Sequence, residues 1–340
     1  MKTILAIDGG GIKGIIPGMV LVELEERLKQ RTGNPQAFLA DYFDLFAGTS
    51  TGGILTCLLL CPSKEDPNYP RFSAREALDL YVKHGSEIFE ISGLKRILSK
   101  FGWVKERYDG KVLERILLNY FEDVKLSELI KPCILTAYNI ELRKAHLFRQ
   151  KVAKIRGNSR DFYVRDVCRA TSAAPTFFSV AEIYSLAGVR YPLLDGGIFA
   201  TNPSLSAFVE IKKEPEELIP KDIYIMSLGT GNSKKSYDSD ALRDTKALFV
   251  VPALLDMIMS GATETSHFYM KQIFNFLGLP DHYVRLEPFD LQSIDEEMDA
   301  ASPKNIKKII ALADRMISQR SKLIDVLVDN LIKLKESGRI

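Results

Sequence analysis

Apolar residues along the chain recur with two different periods, and these periods predict the secondary structure. Short apolar runs of strand length alternate with segments in which apolar residues return every three or four positions, as they do on one face of a helix. The strand-like runs are Thr3–Ile7, Tyr42–Ala47, Cys133–Asn139 and Ile223–Leu228. Strands that alternate with helices predict the α/β class, with a mostly parallel central sheet covered by helices.

Local signals predict where three of the helices begin and end. One helix is expected at Pro17–Lys29, stopped by Gly33, and another at Gly110–Phe121. A third, Ser73–Lys83, opens with a serine followed three residues later by Glu76, which is the pattern of a capping box.

The C-terminal segment Pro303–Ile340 keeps apolar residues at helical spacing and predicts one or two amphipathic helices. We expect their apolar face to pack on the body of the protein; a helix lying on a membrane surface is the alternative. Neither of the polar, turn-rich loops at Pro62–Pro70 and Gly231–Asp240 separates halves of different composition. The predicted division is one domain at residues 1–302, followed by C-terminal helices at residues 303–340.

The composition is that of a folded globular protein without a charge-driven partner. Of 340 residues 46% are apolar, which is enough to fill a substantial core. The 46 basic and 44 acidic side chains nearly cancel, so we expect no nucleic-acid partner. The first apolar run is too short for a signal peptide, and the longest, Ile54–Cys61, is about half of the roughly 20 residues that cross a bilayer. We expect a cytoplasmic protein, soluble or peripherally bound to a membrane.

The four cysteines are too few for a disulfide framework in a chain of this size, and none is paired with histidine at metal-ligand spacing. They are Cys57, Cys61, Cys133 and Cys168. We expect reduced core cysteines and no metal site.

The segment DGGGIKG (Asp8–Gly14) follows the first strand and precedes a helix. Without side chains, Gly9, Gly10 and Gly11 leave their backbone amides open to an anion, and the N-terminus of the next helix adds partial positive charge. We interpret it as an oxyanion-binding loop; a nucleotide loop, which a formal GxGxxG match suggests, and a plain turn are the alternatives. A nucleotide is disfavoured because Asp8 would lie beside the pyrophosphate, and because the next strand ends in Gly-Thr-Ser rather than in a ribose-binding acid.

The segment Gly48-Thr49-Ser50-Thr51-Gly52 matches GxSxG between a predicted strand and a predicted helix, which is the context that the nucleophile motif requires. Gly48 and Gly52 leave room for a tight turn that presents Ser50. The dipole of the helix at Thr51–Cys61 would stabilise an alkoxide, and its first amide can join an oxyanion hole. An ordinary turn before a buried helix is the alternative.

Asp195 is the preferred candidate for the base that activates Ser50. It ends the apolar run YPLLD and is followed by Gly196 and Gly197, so its carboxylate can approach another loop closely. An apolar site raises the pKa of an aspartate and makes it a better proton acceptor at neutral pH. The alternative for this segment is a simple strand-ending turn.

A histidine base is the less favoured alternative to Asp195. The four histidines, none of them in a glycine-marked turn, are His84, His146, His267 and His282. The first two fall on a predicted helix and on a strand-like run, which suggests structural roles, and the last two stay formally open.

Four segments together resemble the patatin-like phospholipases in order and approximate spacing. They are DGGGIKG (8–14), GTSTG (48–52), ATSAAPTFF (170–178) and LLDGG (193–197). The chain is also similar to plant patatins at ADYFD (40–44), YDGK (108–111), SLGTG (227–231) and EMDAAS (297–302). The resemblance covers about Ile4–Ser302 and is weakest in the C-terminal helices.

The resemblance implies a three-layer α/β/α fold of the modified α/β-hydrolase type, with a catalytic domain at residues 1–302. It also implies a dyad in which Ser50 attacks an ester carbonyl and Asp195 is the base. The oxyanion would be bound by the amides of Gly9, Gly10 and Gly11. The residues that support these motifs would be Lys13, Gly48, Gly52, Gly196 and Gly197. No histidine, metal or cofactor would take part.

The implied reaction releases a fatty acid from a glycerolipid or phospholipid through a covalent acyl-serine, as in a phospholipase A or a galactolipase. An acyltransferase would use the same acyl-serine with an alcohol as the acceptor. A dinucleotide-dependent enzyme and a catalytically idle storage or interaction protein are the other hypotheses. Headgroup and positional specificity, control by a ligand such as a cyclic nucleotide, and oligomeric state stay open.

Two segments are candidates for contact with lipid. Leu94–Lys111 combines six basic residues with Trp103 and other apolar residues, which suits an anionic membrane surface; a solvated loop with a buried tryptophan is the alternative. Ala247–Ile258 is apolar and is expected either to line an acyl pocket, with a kink at Pro252, or to be buried in the core.

Overall fold

A mixed sheet of eight strands forms the centre of the computed structural model, which describes residues 1–90, 108–211, 219–233, 236–238 and 247–338. The strands are β1 (Lys2–Ile7), β2 (Leu45–Gly48), β3 (Cys133–Asn139), β4 (Lys144–Arg149), β5 (Ala181–Tyr184), β6 (Arg190–Asp195), β7 (Ile223–Leu228) and β8 (Tyr283–Leu286). Their order is β5-β6-β3-β2-β1-β7-β8, and β4 pairs with β3. Strands β3, β2, β1, β7 and β8 are mutually parallel, whereas β4, β5 and β6 pair antiparallel. The predicted α/β class with a mostly parallel sheet is confirmed.

Helices pack on both faces of this sheet. In chain order they are α1 (Ile15–Thr32), α2 (Thr51–Leu60), α3 (Ala74–Ile88), α4 (Gly110–Phe121), α5 (Gln150–Arg156), α6 (Val164–Thr171), α7 (Gly197–Ala200), α8 (Ser204–Ile211), α9 (Ala247–Phe276), α10 (Pro303–Gln319) and α11 (Ser321–Glu336). Across the described ranges, none of them is long and apolar enough to cross a membrane.

Strand β1 shows why the fold has three layers. Its successive side chains point to opposite faces of the sheet. Leu5 and Ile7 join the core built with α1, α2, α10 and α11, whereas Ile4 and Ala6 join a second core with α8 and α9. All four side chains are fully buried, as expected for a parallel strand covered on both sides.

The predicted helix ends are formed by the residues that signalled them. Gly33 follows α1 with a φ of +66°, a backbone conformation that glycine adopts without strain. At α3, Ser73 Oγ accepts a hydrogen bond from the Glu76 amide at 3.3 Å, and Glu76 accepts one from the Ser73 amide at 2.8 Å. The predicted strand at Tyr42–Ala47 is shorter than expected: β2 begins only at Leu45, because the Asp44 side chain accepts a hydrogen bond from the Thr3 amide at 2.8 Å.

The last two helices share the main core with α1. Ile306, Ile309 and Leu331 are buried among residues of that core. Arg27 on α1 donates hydrogen bonds to the Ser321 carbonyl and to the Asp325 carboxylate, both at 2.9 Å. The apolar faces of both helices therefore face the protein, while a domain boundary at residue 302 stays a prediction.

We expect Val328→Ala to destabilise the whole protein and Val326→Ala to have little effect. Val328 is fully buried on α11, so its truncation leaves a cavity that costs about 2 kcal/mol. Val326, two residues away on the same helix, is 54% exposed, and alanine is the better helix former there. Denaturant midpoints followed by circular dichroism measure the difference, and equal midpoints would show that α11 is not part of the cooperative core.

Candidate active site

The pairing of β3 brings Ser50 and Asp195 together. One edge of β3 pairs with β4 along its whole length. The other edge is shared, because β2 pairs with it up to Gly48 opposite Leu135, and β6 pairs with it from Asp195 opposite Ala137. Since β2 is parallel to β3 and β6 is antiparallel, the carboxyl ends of β2 and β6 meet on this edge. Ser50 lies two residues beyond the end of β2, and Asp195 is the last residue of β6.

Ser50 occupies a strained turn at the N-terminus of α2. Its φ of +53° and ψ of −123° are unusual for a residue with a side chain, and such strain is concentrated at functional sites. The turn needs glycine on both sides: a Cβ on Gly48 would lie 2.4 Å from the Gly52 carbonyl oxygen, and one on Gly52 would lie 2.2 Å from the Ile7 carbonyl oxygen. The sequence prediction of a tight serine elbow therefore matches the observed backbone.

The Ser50 amide is held by a residue that sequence reasoning did not single out. Thr171, at the C-terminus of α6, accepts a hydrogen bond from this amide through Oγ1 at 2.9 Å. Thr171 belongs to the ATSAAPTFF segment, whose matching family pattern was the only signal for it. This contact holds the turn, and it uses the Ser50 amide, which is then not available to an oxyanion.

Asp195 is buried, with 1% of its surface exposed. Its Oδ1 accepts a hydrogen bond from the Gly197 amide at 2.7 Å, and its own amide donates to the Ala173 carbonyl at 3.0 Å. Within the described part of the chain, Oδ2 has no hydrogen bond of regular geometry. Burial raises the pKa of Asp195 to about 7, an effect that the nearby Ser50 hydroxyl and the Gly197 amide partly offset. The carboxylate thus keeps one acceptor oxygen open and a pKa suited to proton transfer at neutral pH.

The close packing around Asp195 explains the two glycines that follow it. A Cβ on Gly196 would lie 2.0 Å from Thr136 Oγ1, and one on Gly197 would lie 2.6 Å from Met259 Cε. Thr136 also shares a hydrogen bond with the Thr49 hydroxyl at 2.7 Å. The glycines let the turn after Asp195 pack directly against β3, at the residue that bonds to Thr49 beside Ser50.

The structure corrects one member of the predicted oxyanion loop. The Gly9 amide donates to the Thr201 carbonyl at 3.0 Å, so Gly9 joins the loop to the segment after Asp195 and is not a free donor. Across the described residues, the amides of Gly10, Gly11 and Thr51 donate no hydrogen bond. Gly11 has a φ of +61° and borders the same cleft as Ser50 and Asp195. Gly10, Gly11 and Thr51 are therefore the amides that remain for an anion.

Residues that are distant in the sequence hold the glycine-rich loop in place. Asp8 forms a buried ion pair with Arg285 at 2.6 Å, and Arg285 also donates to Ser227 Oγ at 2.8 Å. Burial raises the pKa of Asp8 to about 6 and Arg285 lowers it in part, so the pair is ionised at neutral pH. The Met298 carbonyl accepts a hydrogen bond from the Ile12 amide at 2.8 Å. No local signal in the sequence connects these residues to the loop.

Lys13 is buried in the turn that follows the loop, where its amide donates a hydrogen bond to the Gly10 carbonyl at 3.3 Å. Burial lowers the pKa of its side chain, and the carboxylates of Asp256, Glu296 and Glu297 act in the opposite direction. Lys13 does not line the cleft, and its predicted supporting role stays a prediction.

The cleft at Ser50 is narrow and mostly apolar. It is lined by Gly11, Ser50, Thr51, Ile54, Tyr81, Ile88, Phe89, Leu113, Ser172, Ala174, Phe177, Phe178, Asp195, Met259 and Met298. Its free volume is about 50 Å³, far below the several hundred Å³ typical of ligand pockets. A long acyl chain would have to displace side chains, and the flexible Met259 and Met298 on its wall are suited to that movement.

None of the four histidines borders this cleft. His146 packs edge-on against Phe148, and burial lowers its pKa to about 4. His267 lies 3.1 Å from the Tyr283 hydroxyl and His282 lies 3.0 Å from the Ile223 carbonyl. The histidine-base alternative therefore has no candidate near Ser50.

The remaining site predictions have separate outcomes. The basic and aromatic segment Leu94–Lys111 lies outside the described residues except for its last four positions. Ala247–Ile258 belongs to one long helix, α9, in which Leu255 is buried while Leu254 and Ile258 are exposed. None of the described side chains of this segment lines the cleft, which the next residue, Met259, borders. The acyl-pocket prediction is therefore wrong for these side chains, and burial in the core holds for Leu255 but not for Leu254 or Ile258. Within the described ranges, no cluster of three or more His, Cys, Asp or Glu side chains is placed to hold a metal ion. The four cysteines are all buried and unpaired with one another.

Comparison with known proteins places this site in a family. The model of the family "Patatin-like phospholipase" matches residues 5–208. "Patatin-like protein 1" of Oryza sativa subsp. indica is 28% identical over 99% of this chain and 86% of its own length, and "Probable inactive patatin-3-Kuras 1" of Solanum tuberosum is 30% identical over 94% and 87%. Among solved structures, human GIVD cytosolic phospholipase A2 is 10% identical and covers 98% of this chain and 60% of that one, with a TM-score of 0.43, which is too low to add to the assignment. The match to the family model and the 30% identity to the Solanum tuberosum relative show that the chain belongs to the patatin-like phospholipase family.

Proposed function

We propose that this protein is a lipid acyl hydrolase that releases fatty acids from glycerolipids by means of Ser50 and Asp195. The observation that carries the proposal is the meeting of the strained Ser50 turn and the buried Asp195 carboxylate on one edge of β3. Membership of a family of phospholipases and an apolar cleft at Ser50 support a lipid substrate. Phospholipid or galactolipid is the proposed substrate class, and the site would need no cofactor.

In the first half of the proposed reaction, Ser50 Oγ attacks the ester carbonyl carbon while Asp195 Oδ2 takes its proton. The carbonyl oxygen becomes an oxyanion, which the amides of Gly10, Gly11 and Thr51 would stabilise. When this intermediate collapses, the alcohol leaves with the proton from Asp195 and the acyl group stays on Ser50.

In the second half, a water molecule attacks the acyl-serine carbonyl carbon while Asp195 takes its proton; when this second intermediate collapses, the bond to Ser50 Oγ breaks, Asp195 returns the proton to Ser50 Oγ, and the fatty acid is released. The cleft has polar and apolar parts that suit these two steps. Its apolar wall would receive the acyl chain, and the polar groups at Ser50 and Asp195 would lie where charge develops.

Replacing Ser50 with alanine tests the proposal directly. We expect Ser50→Ala to lower fatty acid release from phospholipid or galactolipid vesicles by about 10³-fold or more, because the nucleophile is lost. A fluorophosphonate probe should label the wild type and not the variant. Ser204→Ala is the matched control, since Ser204 is a fully buried serine outside the cleft.

Three results would contradict the proposal. They are no release by the wild type, activity retained in Ser50→Ala, and equal loss in Ser204→Ala at matched circular dichroism spectra. The first result together with no fluorophosphonate labelling would favour a catalytically idle protein. Transfer of the acyl group to an added alcohol in preference to water would instead identify an acyltransferase.

The pKa of Asp195 predicts the pH dependence of activity. The base must be ionised, so kcat/KM should rise with pH through an apparent pKa of about 7. A rate profile that is flat between pH 5 and 8 would exclude Asp195 as the titrating base.

The same pKa predicts an opposite trend in stability. Because burial raises the pKa of Asp195 from 3.8 to about 7, the folded protein retains a proton that the unfolded chain loses between these values. The contribution of Asp195 to the free energy of unfolding therefore falls as pH rises from about 4 to about 7. Asp195→Asn should be inactive and, at pH 8, more stable than the wild type by up to a few kcal/mol. Asp8 contributes a similar pH dependence to the stability of both proteins, so its contribution cancels in the comparison. An Asp195→Asn variant that is less stable than the wild type at pH 8 would contradict this reasoning.

Gly11→Ala should damage catalysis through the loop backbone. A Cβ there would lie 2.1 Å from the Met298 carbonyl oxygen and would sit on a residue with φ of +61°, so the loop must shift. We expect kcat to fall by about 10²-fold, as for loss of an oxyanion donor. Gly33→Ala is the control, because Gly33 also has a positive φ but a Cβ there meets nothing within 4 Å. It should cost about 1 kcal/mol of stability and leave kcat unchanged; equal effects on kcat would show that the Gly11 variant acts through general destabilisation.

A further inference from the structure

Helix α9 has an inner and an outer face of different character. Its buried positions follow the inner face and are Leu255, Met259, Thr263, Ser266, Met270 and Phe274. On the outer face, Val251, Leu254 and Ile258 are 42%, 48% and 50% exposed. These three apolar side chains recur at the spacing of one helical face, and we call them the α9 stripe.

The α9 stripe lies on the same helical turns that form the wall of the catalytic cleft. Met259, adjacent to Ile258 in sequence, borders the cleft and packs against Gly197, two residues from Asp195. Leu255, adjacent to Leu254, is buried in the main core. A surface that contacts the α9 stripe would therefore be separated from the Ser50 cleft by the thickness of one helix.

Charge is sparse along the turns of α9 that carry the α9 stripe. Between residues 247 and 263 the only ionisable side chain is Asp256, and its carboxylate accepts a hydrogen bond from the Tyr237 hydroxyl at 2.7 Å. Exposed surfaces of globular proteins are usually interspersed with charges, and a contiguous apolar patch marks a site of interaction. The outer face here has the composition of a surface that is covered during function.

Aromatic residues continue this face toward the C-terminus of α9. At about 100° per residue, Tyr269 and Phe276 lie within about 20° of Ile258 around the helix axis. They are 50% and 92% exposed. From Val251 to Phe276 the face extends for about 38 Å at 1.5 Å per residue. Exposed tyrosine and phenylalanine beside an aliphatic stripe suit the boundary between headgroups and acyl chains.

We propose that the α9 stripe docks the protein on the surface of its aggregated lipid substrate. The helix lies in the plane of the interface, with Val251, Leu254 and Ile258 inserted among acyl chains and with the cleft on its inner side. This inference rests on the proposed function, because a lipid aggregate is the partner that has to deliver an acyl chain past Met259. It assigns the apolar face to a phospholipid surface rather than to a second copy of the chain.

The test replaces the three residues of the α9 stripe with glutamine, which removes their apolar surface and keeps helix propensity. Binding is measured by sedimentation with phosphatidylcholine vesicles, in a Ser50→Ala background so that no lipid is consumed. In the Ser50 protein, hydrolysis is measured on the same vesicles and on monomeric p-nitrophenyl butyrate. We expect vesicle affinity and vesicle hydrolysis to fall at least 10-fold, and p-nitrophenyl butyrate hydrolysis to stay within 2-fold.

The matched control carries glutamine at three other exposed apolar residues, Leu142, Ile155 and Val189, which are 66%, 79% and 50% exposed. A single variant, Leu254→Glu, repeats the test if the triple variant is poorly folded. Unchanged vesicle binding in the stripe variants, an equal loss in the control, or a parallel loss of p-nitrophenyl butyrate hydrolysis would overturn the proposal. A change from dimer to monomer with vesicle binding intact would assign the face to a second copy instead. If the wild type hydrolyses neither substrate, the proposed function fails, while vesicle binding by the Ser50→Ala protein still decides the docking.

Discussion

The arrangement of the site depends on two strands that share one edge of β3. Gly48 at the end of β2 lies opposite Leu135, and Asp195 at the end of β6 lies opposite Ala137, so the two strands abut with their carboxyl ends together. The backbone is closely packed at both strand ends, because a Cβ on Gly48 would meet the Gly52 carbonyl oxygen and one on Gly196 would meet Thr136 on β3. The hydrogen-bond register of β3 thus sets the separation of Ser50 and Asp195 before any contact between their side chains is considered.

Two equally buried aspartates of this site differ in the partners that surround them. Asp8 and Asp195 end adjacent parts of the sheet and are equally buried. Asp8 has a guanidinium partner, Arg285, and is therefore ionised and fixed. Asp195 accepts a hydrogen bond from one backbone amide and lies near one hydroxyl. These contacts do not offset the cost of desolvating its charge, so its pKa rises to about 7. The first aspartate anchors the glycine-rich loop, and the second keeps a proton affinity that a serine dyad can use at the expense of stability.

The sequence was most informative where the signal was local. Local signals predicted α4, the N-terminus of α3, the glycine that follows α1, four strands and the glycines around Ser50 and Asp195, because each depends on a few neighbouring residues. The C-terminus of α3 was predicted at Lys83, whereas the helix continues to Ile88. The hydrogen bond from Gly9 to Thr201 was not predicted, since its partners are 192 residues apart in the chain, and it removes one expected donor from the oxyanion loop. The contacts of Arg285, Met298 and Thr171 with this site were missed for the same reason, because their partners are distant in the sequence. The orientation of α9 was also missed, because an apolar run does not show which of its faces is covered.

The match to the family model ends at residue 208, yet the site is completed by residues beyond it. Within the matched part lie the serine, the aspartate and the glycine-rich loop, which together form the proposed reactive centre. Outside it, Arg285 and Met298 hold that loop, and Met259 and Met298 form one wall of the cleft. The proposed reactive centre is therefore constrained by strand register and close backbone packing, whereas one wall of the cleft is built from flexible side chains on separate elements. Such a division would let the cleft wall and the outer face of α9 vary with the proposed lipid substrate while the geometry at Ser50 is kept.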